Sequence, residues 1–406
     1  MRFSFHTAGE SHGRGLLALI EGLPAGLSLV AERDIDPELK RRQGGYGRGD
    51  RMKIEQDRAE FISGVRLGET LGSPLSLVIW NRDWENWRVA MAHEPPPAGL
   101  TDQELKRVHL PRPGHADLVG VLKYDRADAR DILERASARE TTARVAAGAV
   151  AKRLLAEFGI RIGSHVVMLG GVQARVPDDL PEDVNAVADA SPVRTLDPEA
   201  EKRMIETIDQ AKATGNTLGG SFEVVVRGLP VGLGSHVSWD RRLDGRLAQG
   251  LMSIQAMKGV EIGMGFDAAR RPGSEVHDEF DRNASELHTG GYRRRSNRAG
   301  GLEGGITTGE PLIVRVAMKP LSTLMRPLSS VNIQTGSAAE ANTERSDVVA
   351  LAAAGVVGEA MTAIVLADAF LEKFGGDSMT EIRHNFEAYL DRLKARQQVL
   401  DAGARG

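Results

Sequence analysis

The sequence predicts an internally duplicated α/β fold in which long helices pack at the centre and strands cover them. A first observation is a repeated hexapeptide, since residues 22–27 (GLPAGL) return as residues 228–233 (GLPVGL). A second is a repeated spacing of glycine, threonine and proline, which is the same in residues 64–75 as in residues 301–312. Repeats of this kind indicate two halves built on one plan.

A third observation places a related helix in each half. The tripeptide Ala-Ala-Gly ends at Gly148 in one apolar segment and at Gly355 in another, and both segments run on to Phe-Gly. Small residues on a helix face allow close helix packing. Because the three matches occur in the same order, we expect the two halves to share one topology.

We expect a single compact domain, residues 1–406, built of two pseudo-symmetric halves with a peripheral C-terminal tail. The halves are predicted at about 1–165 and 200–380. Two independent domains are the alternative. Against it, residues 177–198 contain Pro and Asp rather than a flexible Gly/Ser linker and resemble an ordinary surface connection.

The elements of the first half follow from periodicity and from start and stop signals. The predicted elements are a strand at 15–20, a helix from Asp34 with Pro37 in its first turn, a glycine–cation loop at 40–49, a strand at 73–79, a long loop at 81–117 and a helix at 131–158. A long loop inside a compact body is usually functional or mobile.

The second half contains three predicted helices and a tail. We expect an exposed helix from Asp197-Pro198 to Ala213, a helix at 240–258 that carries Gln255 and Ala256, and a long helix at 346–374. The tail after Gly375 is predicted to be a peripheral helix with a frayed end.

The composition of the 406 residues is that of a globular protein, with 41% hydrophobic and 27% charged residues. The net charge of −4 does not favour general nucleic-acid binding. The absence of cysteine excludes disulfides, thiolate catalysis and cysteine-ligated metals. The N-terminal residues lack the apolar core of a signal peptide, and we expect no apolar run of membrane-spanning length and no membrane partner, so a cytoplasmic protein is expected.

One segment, residues 290–327, combines a cluster of arginines, a glycine-rich bend and a Lys-Pro-x-Ser-Thr turn. Glycine lets backbone N–H groups approach an anion, and Lys319, Ser322 and Thr323 can complete its coordination. The segment therefore predicts a site for a phosphorylated ligand. It is neither a Walker loop nor a dinucleotide fingerprint, since the order of its glycines fits neither motif.

Two histidines are candidates for proton transfer. His12 lies between glycines and corresponds to Leu218 in the second half, so only one half keeps an imidazole there. His115 ends the long loop beside Arg112 and Asp117. Either could instead be a structural histidine.

Arginines gather around glycine loops and at one helix start. Arg42, Arg48 and Arg51 surround a Gly-Tyr-Gly loop, and Arg135 and Arg139 lie one turn apart. Asp347, beside Arg345, is either an N-terminal helix cap or a proton acceptor. The residues thus indicate a metal-independent enzyme acting on phosphorylated and carboxylated small molecules.

Seven motifs in order resemble chorismate synthase, and the resemblance runs from Met1 to about Phe374. These motifs are GESHG at 9–13, GYGR at 45–48, RPGHAD at 112–117, RASARET at 135–141, QAMKGVE at 255–261, SNRAGG at 296–301 and KPLST at 319–323. The resemblance implies an α+β sandwich, with long central helices between antiparallel β-sheets, that assembles as a homotetramer.

The resemblance also implies the activity. Phosphate and a ring proton would leave 5-enolpyruvylshikimate 3-phosphate by anti-1,4-elimination to give chorismate, in the shikimate pathway of aromatic amino acid biosynthesis. Reduced FMN would be required without net redox change. No segment is long enough for a flavin-reductase insert, so the flavin would be reduced externally, with NADPH used by a separate reductase.

Residue roles carry over from the resemblance to matching positions. His12 would protonate the reduced flavin, His115 the departing phosphate, and Asp347 would assist at flavin N5 with Ser11 and Ser137 as relays. The expected FMN contacts are Arg135, Ala136, Ser137, Gln255, Ala256, Gly304, Lys319, Pro320, Leu321, Ser322, Thr323 and Arg345. The expected contacts to substrate, or to a nicotinamide nucleotide (NADP), are Arg42, Arg48, Arg51, Arg112 and Arg139.

Two other functions remain open on the residues alone. An RNA-binding module could use the arginine cluster, but it predicts aromatics among the cations, and only 4% of residues are aromatic. A phosphoryl transferase predicts a Mg²⁺ site, and the sequence contains no fitting acidic cluster. Neither alternative predicts a need for flavin.

Overall fold

The computed structural model describes residues 2–49, 56–344 and 347–403, which form helices and antiparallel sheets. The α-helices are α1 (Asp36–Gln43), α2 (Asp117–Tyr124), α3 (Arg130–Ala136), α4 (Thr141–Ala156), α5 (Val184–Ala188), α6 (Pro198–Ala213), α7 (Leu243–Met252), α8 (Leu351–Phe374) and α9 (Met379–Gly403). The strands are β1 (Ser4–Ala8), β2 (Gly15–Glu21), β3 (Ala25–Ser28), β4 (Glu60–Ser63), β5 (Val65–Arg66), β6 (Glu69–Leu71), β7 (Leu75–Trp80), β8 (Arg161–Leu169), β9 (Val172–Gln173), β10 (Gly220–Arg227), β11 (Met257–Ile262), β12 (Phe280–Arg282), β13 (Tyr292–Arg294), β14 (Leu302–Glu303), β15 (Ile306–Thr307), β16 (Leu312–Met318), β17 (Ser329–Val331) and β18 (Ala338–Glu340).

Two larger sheets carry most of the strand pairing. Their strand orders are β1-β2-β7-β4 and β11-β16-β10-β8-β9, and both are antiparallel throughout. A three-stranded sheet, β3-β6-β5, and three two-stranded ribbons complete the pairing in the described residues. The predicted fold class, helices combined with antiparallel sheets, is confirmed.

The strand register repeats between the halves. In the first half Ile20 pairs with Leu75. In the second half Val226 pairs with Leu312, and these are the residues that correspond to Ile20 and Leu75 in the sequence repeats. The repeats therefore carry the same hydrogen-bonded strand pair twice.

A buried threonine fixes the turn that follows each of these strands. The Thr70 hydroxyl donates to the carbonyl oxygen of Pro24 at 2.6 Å, and the Thr307 hydroxyl donates to that of Pro230 at 2.7 Å. The glycine before each proline, Gly22 or Gly228, has φ near +80°, a conformation that side chains other than glycine rarely adopt. The repeated Gly-Leu-Pro sequence thus encodes a turn.

Helices α4 and α8 pack against each other in the core. A Cβ at Gly148 would come within 2.5 Å of Cα of Ala360, so the two backbones are in close contact. The most apolar 18 residues of α8 have a mean hydropathy of 1.7, sufficient by composition and length to cross a membrane, but 94% of that window is buried. The expectation of no apolar run of membrane-spanning length is therefore wrong for α8, and its burial is that of a helix in a protein core.

A buried carboxylate ties α8 to its neighbours. Glu359 has no exposed surface. Its oxygens lie 2.9 Å from Nη2 of Arg41, 2.8 Å from Nζ of Lys152 and 3.2 Å from Nη2 of Arg194, and they accept a hydrogen bond from Ser164 at 2.6 Å. Burial alone would raise the pKa of Glu359, but the surrounding cations hold it well below its usual value.

The prediction of one continuous helix at 131–158 is wrong, because the helix is interrupted at Ser137. There the backbone is extended, with φ −61° and ψ 142°. The Ser137 hydroxyl accepts a hydrogen bond from the backbone N–H of Arg139, which starts a new helical turn. The result is two helices, α3 and α4, with Ser137 held between them.

Two other predicted helix boundaries are wrong. Helix α7 ends at Met252, and Gln255 and Ala256 lie in the turn before β11, where Ala256 has φ +69°. Helix α8 begins at Leu351, so Asp347 is not its N-terminal cap.

The segment 177–198 is also more than a surface connection, since it contains α5, whose Asn185 side chain donates to Glu359 at 3.0 Å.

The other elements largely agree with the sequence-based expectations. Strands β2 and β7 and helix α6 lie where they were predicted, and α9 provides the expected helical tail. Helix α6 is not an exposed helix, however, because it buries Met204 and Ile208 in the core. Helix α9 buries Met379 and Ile382 against the core. The remainder of the tail is largely exposed.

Candidate active site

The candidate active site is a cleft of about 550 Å³ lined by segments that are distant in the sequence. It collects most of the site residues predicted from the sequence. Those that line it are Ser11, His12, Arg42, Arg48, Arg112, His115, Ala136, Ser137, Arg139, Gln255, Ala256, Lys319, Pro320, Leu321, Ser322, Thr323 and Asp347.

His12 is held from two sides. Its Nδ1 lies 2.9 Å and 3.0 Å from the two carboxylate oxygens of Glu134, and its backbone N–H donates to the same group at 2.8 Å. The ring stacks on Trp87 with 3.7 Å between centroids. The imidazole is therefore fixed in orientation at the edge of the cleft.

His115 has a similar arrangement. Its Nδ1 lies 2.5 Å from Oδ1 of Asp117, which has no exposed surface. Arg112 donates to both oxygens of the same carboxylate, from Nε at 2.8 Å and from Nη2 at 3.2 Å, and donates to the Thr323 hydroxyl from Nη1 at 2.9 Å. Burial alone would raise the pKa of Asp117, but His115 and Arg112 hold it well below its usual value.

An ionised Asp117 accepts hydrogen bonds and does not donate them. Nδ1 of His115 must then carry the hydrogen in this contact. The other ring nitrogen, Nε2, is the atom through which His115 can exchange a proton with a ligand.

Two hydroxyls lie beside His12. The Ser137 hydroxyl donates to that of Ser11 at 3.2 Å, and Ser11 is almost completely buried. The break between α3 and α4 brings Ser137 to this position. A short hydroxyl chain of this kind can pass protons.

Asp347 pairs directly with Arg48 in the cleft lining. Its Oδ2 lies 2.9 Å from Nε of Arg48, and its Oδ1 accepts the backbone N–H of Gly49 at 2.6 Å. The glycine–cation loop predicted after α1 is thereby tied to the segment before α8. Asp347 is a paired carboxylate within the cleft.

Two other arginines are buried in the cleft wall. Arg42 donates to the Thr141 hydroxyl at 2.9 Å and to the Ala138 carbonyl at 2.8 Å. Arg139 donates to Asp57 at 2.7 Å. Both guanidinium groups are therefore anchored by neutral oxygens or by a buried carboxylate.

Part of the cleft lining is apolar with a few polar atoms. Small and branched residues form it, namely Ala136, Ala353, Ala354, Val357 and Ile254. Gln255 donates from Nε2 to Glu140 at 3.0 Å, while its Oε1 is buried and has no hydrogen-bond partner in the described residues. A buried unpaired amide oxygen is costly, so it indicates a missing hydrogen-bond donor.

The Lys319–Thr323 turn closes one end of the cleft. The ammonium group of Lys319 donates to the carbonyl of Gly114. Burial and the nearby Lys258 hold the pKa of Lys319 below its usual value. A cation that is partly desolvated in this way is favoured by a bound anion.

Four predicted site residues lie elsewhere or outside the description. Arg135 donates to the carbonyl groups of Thr7 and Gly9 and does not line the cleft. Gly304 lies in the turn between β14 and β15, also away from the cleft. Arg51 and Arg345 fall outside the described residues.

The segment 290–327 does not form one site. Arg294 is paired with Glu303, and Arg295 is paired with Asp281 and Glu279, all at 2.7–2.8 Å. Only its Lys-Pro-x-Ser-Thr end reaches the cleft. The prediction of one phosphate site over the whole segment is therefore wrong, since Arg294 and Arg295 are engaged in ion pairs away from the cleft.

Sequence reasoning missed the residues behind the histidines. Glu134 and Trp87 were given no role, and Asp117 appeared only as a neighbour of His115. Glu134 and Trp87 lie far from His12 along the chain, so no local pattern could have indicated the contact. For Asp117, the spacing His-x-Asp was the available signal.

The cleft differs from the other cavities of the described residues. A cavity of about 350 Å³ near Lys152 and Arg153 contains charges that are largely paired with one another. Among the described residues no group of three His, Asp or Glu side chains could hold a metal ion.

Comparisons with known proteins agree on one family. The family model described as chorismate synthase matches residues 3–371. A chorismate synthase from Geobacter sulfurreducens is 56% identical over 392 residues, which are 96% of this chain and 98% of the relative. One from Aquifex aeolicus is 55% identical over 399 residues, with the same two coverages.

A solved structure agrees as well. A crystal structure of chorismate synthase aligns with a TM-score of 0.78 and 47% identity, covering 97% of this chain and 99% of that one. With a fold, a family model and relatives that coincide over nearly the whole length, this chain belongs to the chorismate synthase family.

Proposed function

We propose that the cleft converts 5-enolpyruvylshikimate 3-phosphate into chorismate with reduced FMN bound beside the substrate. The family is one of carbon–oxygen lyases, and the reaction releases phosphate and a ring proton. The observation that carries the assignment to this cleft is the pair of histidines, His12 and His115. Each is held by a buried carboxylate, and both lie among arginines that suit a polyanionic ligand.

The residues of the cleft fit a flavin. A flat ring system needs an apolar wall and polar atoms at its edge, and the alanine-rich wall and the unpaired Oε1 of Gln255 offer both. Ala136, Ser137, Gln255, Ala256 and the turn Lys319–Thr323 would hold it. When bound, reduced FMN lends electron density to the substrate and recovers it.

Arginines of the cleft would bind the anionic groups of the substrate. Arg112, already oriented by Asp117, and Arg48, oriented by Asp347, present guanidinium groups that match phosphate and carboxylate geometry. Arg42 and Arg48 serve either the substrate or a nicotinamide nucleotide. Arg139, held by Asp57, would bind the substrate in the same way.

Proton transfers are assigned to the two histidines. His115 delivers a proton from Nε2 to the departing phosphate, because its Nδ1 is held by Asp117. His12 would supply the proton for the reduced flavin held in the cleft. Asp347 would assist proton transfer at flavin N5, with Ser11 and Ser137 as nearby relays.

The remaining features of the proposal come from the family resemblance. They are a homotetramer in the cytoplasm, and FMN reduced by a separate NADPH-dependent enzyme. Purified protein that reduces FMN with NADPH unaided would contradict the last of these.

The test is an anaerobic assay with dithionite-reduced FMN and 5-enolpyruvylshikimate 3-phosphate. Phosphate release and the diene absorbance of chorismate are followed for the wild type, His12→Ala and His115→Ala. Either substitution is expected to lower kcat roughly 10²- to 10⁴-fold. His6→Ala, which alters an exposed histidine, is the matched control. No product from protein that binds FMN would refute the proposal.

A further inference from the structure

Within the part of the chain that the structure describes, the contacts to the Glu134 carboxylate come from hydrogen-bond donors and from the ring of His12. The backbone N–H of His12 donates to Oε2 at 2.8 Å, and Nη1 of Arg130 donates to Oε1 at 2.9 Å. Nδ1 of His12 lies within 3.0 Å of both oxygens. The Glu134 side chain is 2% exposed, so few water molecules can compete for these positions.

Glu134 is ionised in this setting. Burial alone would raise its pKa, but His12 and Arg130 hold it below the usual value. An ionised carboxylate is only an acceptor. The hydrogen between Glu134 and His12 must therefore reside on Nδ1.

The plane of the His12 imidazole is fixed by a second contact, which does not involve Glu134. Trp87 stacks on the His12 ring at an interplanar angle of 19°. The ammonium group of Lys106 lies 3.6 Å from the centroid of the Trp87 indole. The imidazole of His12 and the ammonium group of Lys106 both lie within 4 Å of the Trp87 ring centroid, so they pack on opposite faces of the indole. The cation thereby helps to hold the indole in contact with the imidazole.

We propose that Glu134 is a positioning residue that sets the tautomer of His12, with Trp87 holding the ring in plane. Nδ1 then keeps its hydrogen throughout, and Nε2 is the atom that gives up and regains a proton. This inference rests on the proposed role of His12 as a proton donor. It adds that the role depends on a carboxylate about 120 residues away in the chain.

The tautomer can be measured without substrate or flavin. Long-range proton–nitrogen NMR spectra of protein with ¹⁵N-labelled histidine distinguish hydrogen on Nδ1 from hydrogen on Nε2, at a pH where the ring is neutral. Comparison with His12→Asn identifies the His12 signals, and stacking on Trp87 shifts its ring protons upfield. The expected wild-type pattern is hydrogen on Nδ1.

Glu134→Gln is the diagnostic variant, because an amide can turn its NH₂ group toward Nδ1 and favour the other tautomer. We expect the Nε2–H form to appear and kcat to fall roughly 10- to 100-fold, with little change in KM. Asp131→Asn, the same chemical change on the exposed face of α3, should alter neither.

Three results would overturn the proposal. They are hydrogen on Nε2 in the wild type, an unchanged kcat in Glu134→Gln, or a lowered kcat with the wild-type tautomer. Because the wild-type spectrum needs no variant and no turnover, it tests the inference even if Glu134→Gln folds poorly. A wild-type pattern on Nδ1 in an inactive protein would leave the tautomer assignment standing while refuting the proposed function.

Discussion

Nδ1 of His115 lies 2.5 Å from Oδ1 of Asp117, a carboxylate with no surface exposed to solvent. Arg112 holds both oxygens of that carboxylate, just as Arg130 holds the carboxylate behind His12. Both histidines of the cleft are thus presented in the same way, by a buried anion that is itself fixed by an arginine. The two arrangements arise from different segments and share no sequence motif.

Asp117→Asn should show how far turnover depends on the tautomer and orientation of His115. The amide can turn its NH₂ group toward Nδ1, which places the hydrogen of His115 on the wrong nitrogen, so kcat should fall by roughly 100-fold or more. The anaerobic assay measures this directly. Asp125→Asn, at the exposed C-terminal end of α2, is the control and should retain wild-type kcat. A fully active Asp117→Asn would contradict a role for the His115 tautomer.

The same variant should change how stability depends on pH. The pKa of Asp117 in the folded protein is lowered, whereas an unfolded aspartate has a pKa of about 3.9. Its contribution to the free energy of unfolding is therefore present above about pH 4 and is lost as the pH falls toward the folded-state pKa. Urea unfolding at several pH values should show wild type and Asp117→Asn converging in acid. A constant difference between them would argue against the lowered pKa.

Glu359→Gln should strongly destabilise the protein. Removing the anion leaves Arg41, Lys152 and Arg194 facing a neutral amide in the core, which we expect to cost about 3–5 kcal/mol of unfolding free energy. Glu372→Gln, on the exposed part of the same helix, should cost roughly 0–1 kcal/mol. Chemical denaturation of the two variants measures the difference. Equal losses would show that the network contributes no more than surface pairs.

Gly148→Ala should test the contact between α4 and α8. The added Cβ would meet the backbone of Ala360, so the helices must separate, at a cost of about 1–3 kcal/mol. Gly245→Ala in α7 is the control, since its Cβ would approach no atom closer than 4.0 Å. There the better helix propensity of alanine should stabilise by up to about 1 kcal/mol. Thermal unfolding of both variants should therefore shift in opposite directions.

The repetition of one strand pair in both halves could be predicted from the sequence because matching residues recur there in the same order. The pairing itself joins distant residues, since Ile20 pairs with Leu75 and Val226 pairs with Leu312. Ile20 and Val226 occupy matching positions, as the repeats predicted. The family motifs predicted most of the residues that line the cleft, since each motif is continuous in the chain.

The parts that the sequence analysis missed have different causes. The break between α3 and α4 had a local signal, since Ser137 and Glu140 match the Ser-x-x-Glu pattern of a helix N-terminus and the Ser137 hydroxyl accepts from the N–H of Arg139. Gln255 was assigned to a helix because no glycine or proline stops α7 before it. Glu134 reads as an ordinary helix-surface glutamate until His12 is placed against it.

The contact between Gly148 and Ala360 also has a consequence during synthesis. The two residues are about 200 positions apart, and a ribosome adding 5–20 residues per second needs roughly 10–40 s to cover that distance. Throughout this interval α4 has been made but its packing partner has not, and its alanine-rich face remains uncovered. The nascent first half is thus expected to depend on chaperones until α8 leaves the ribosome.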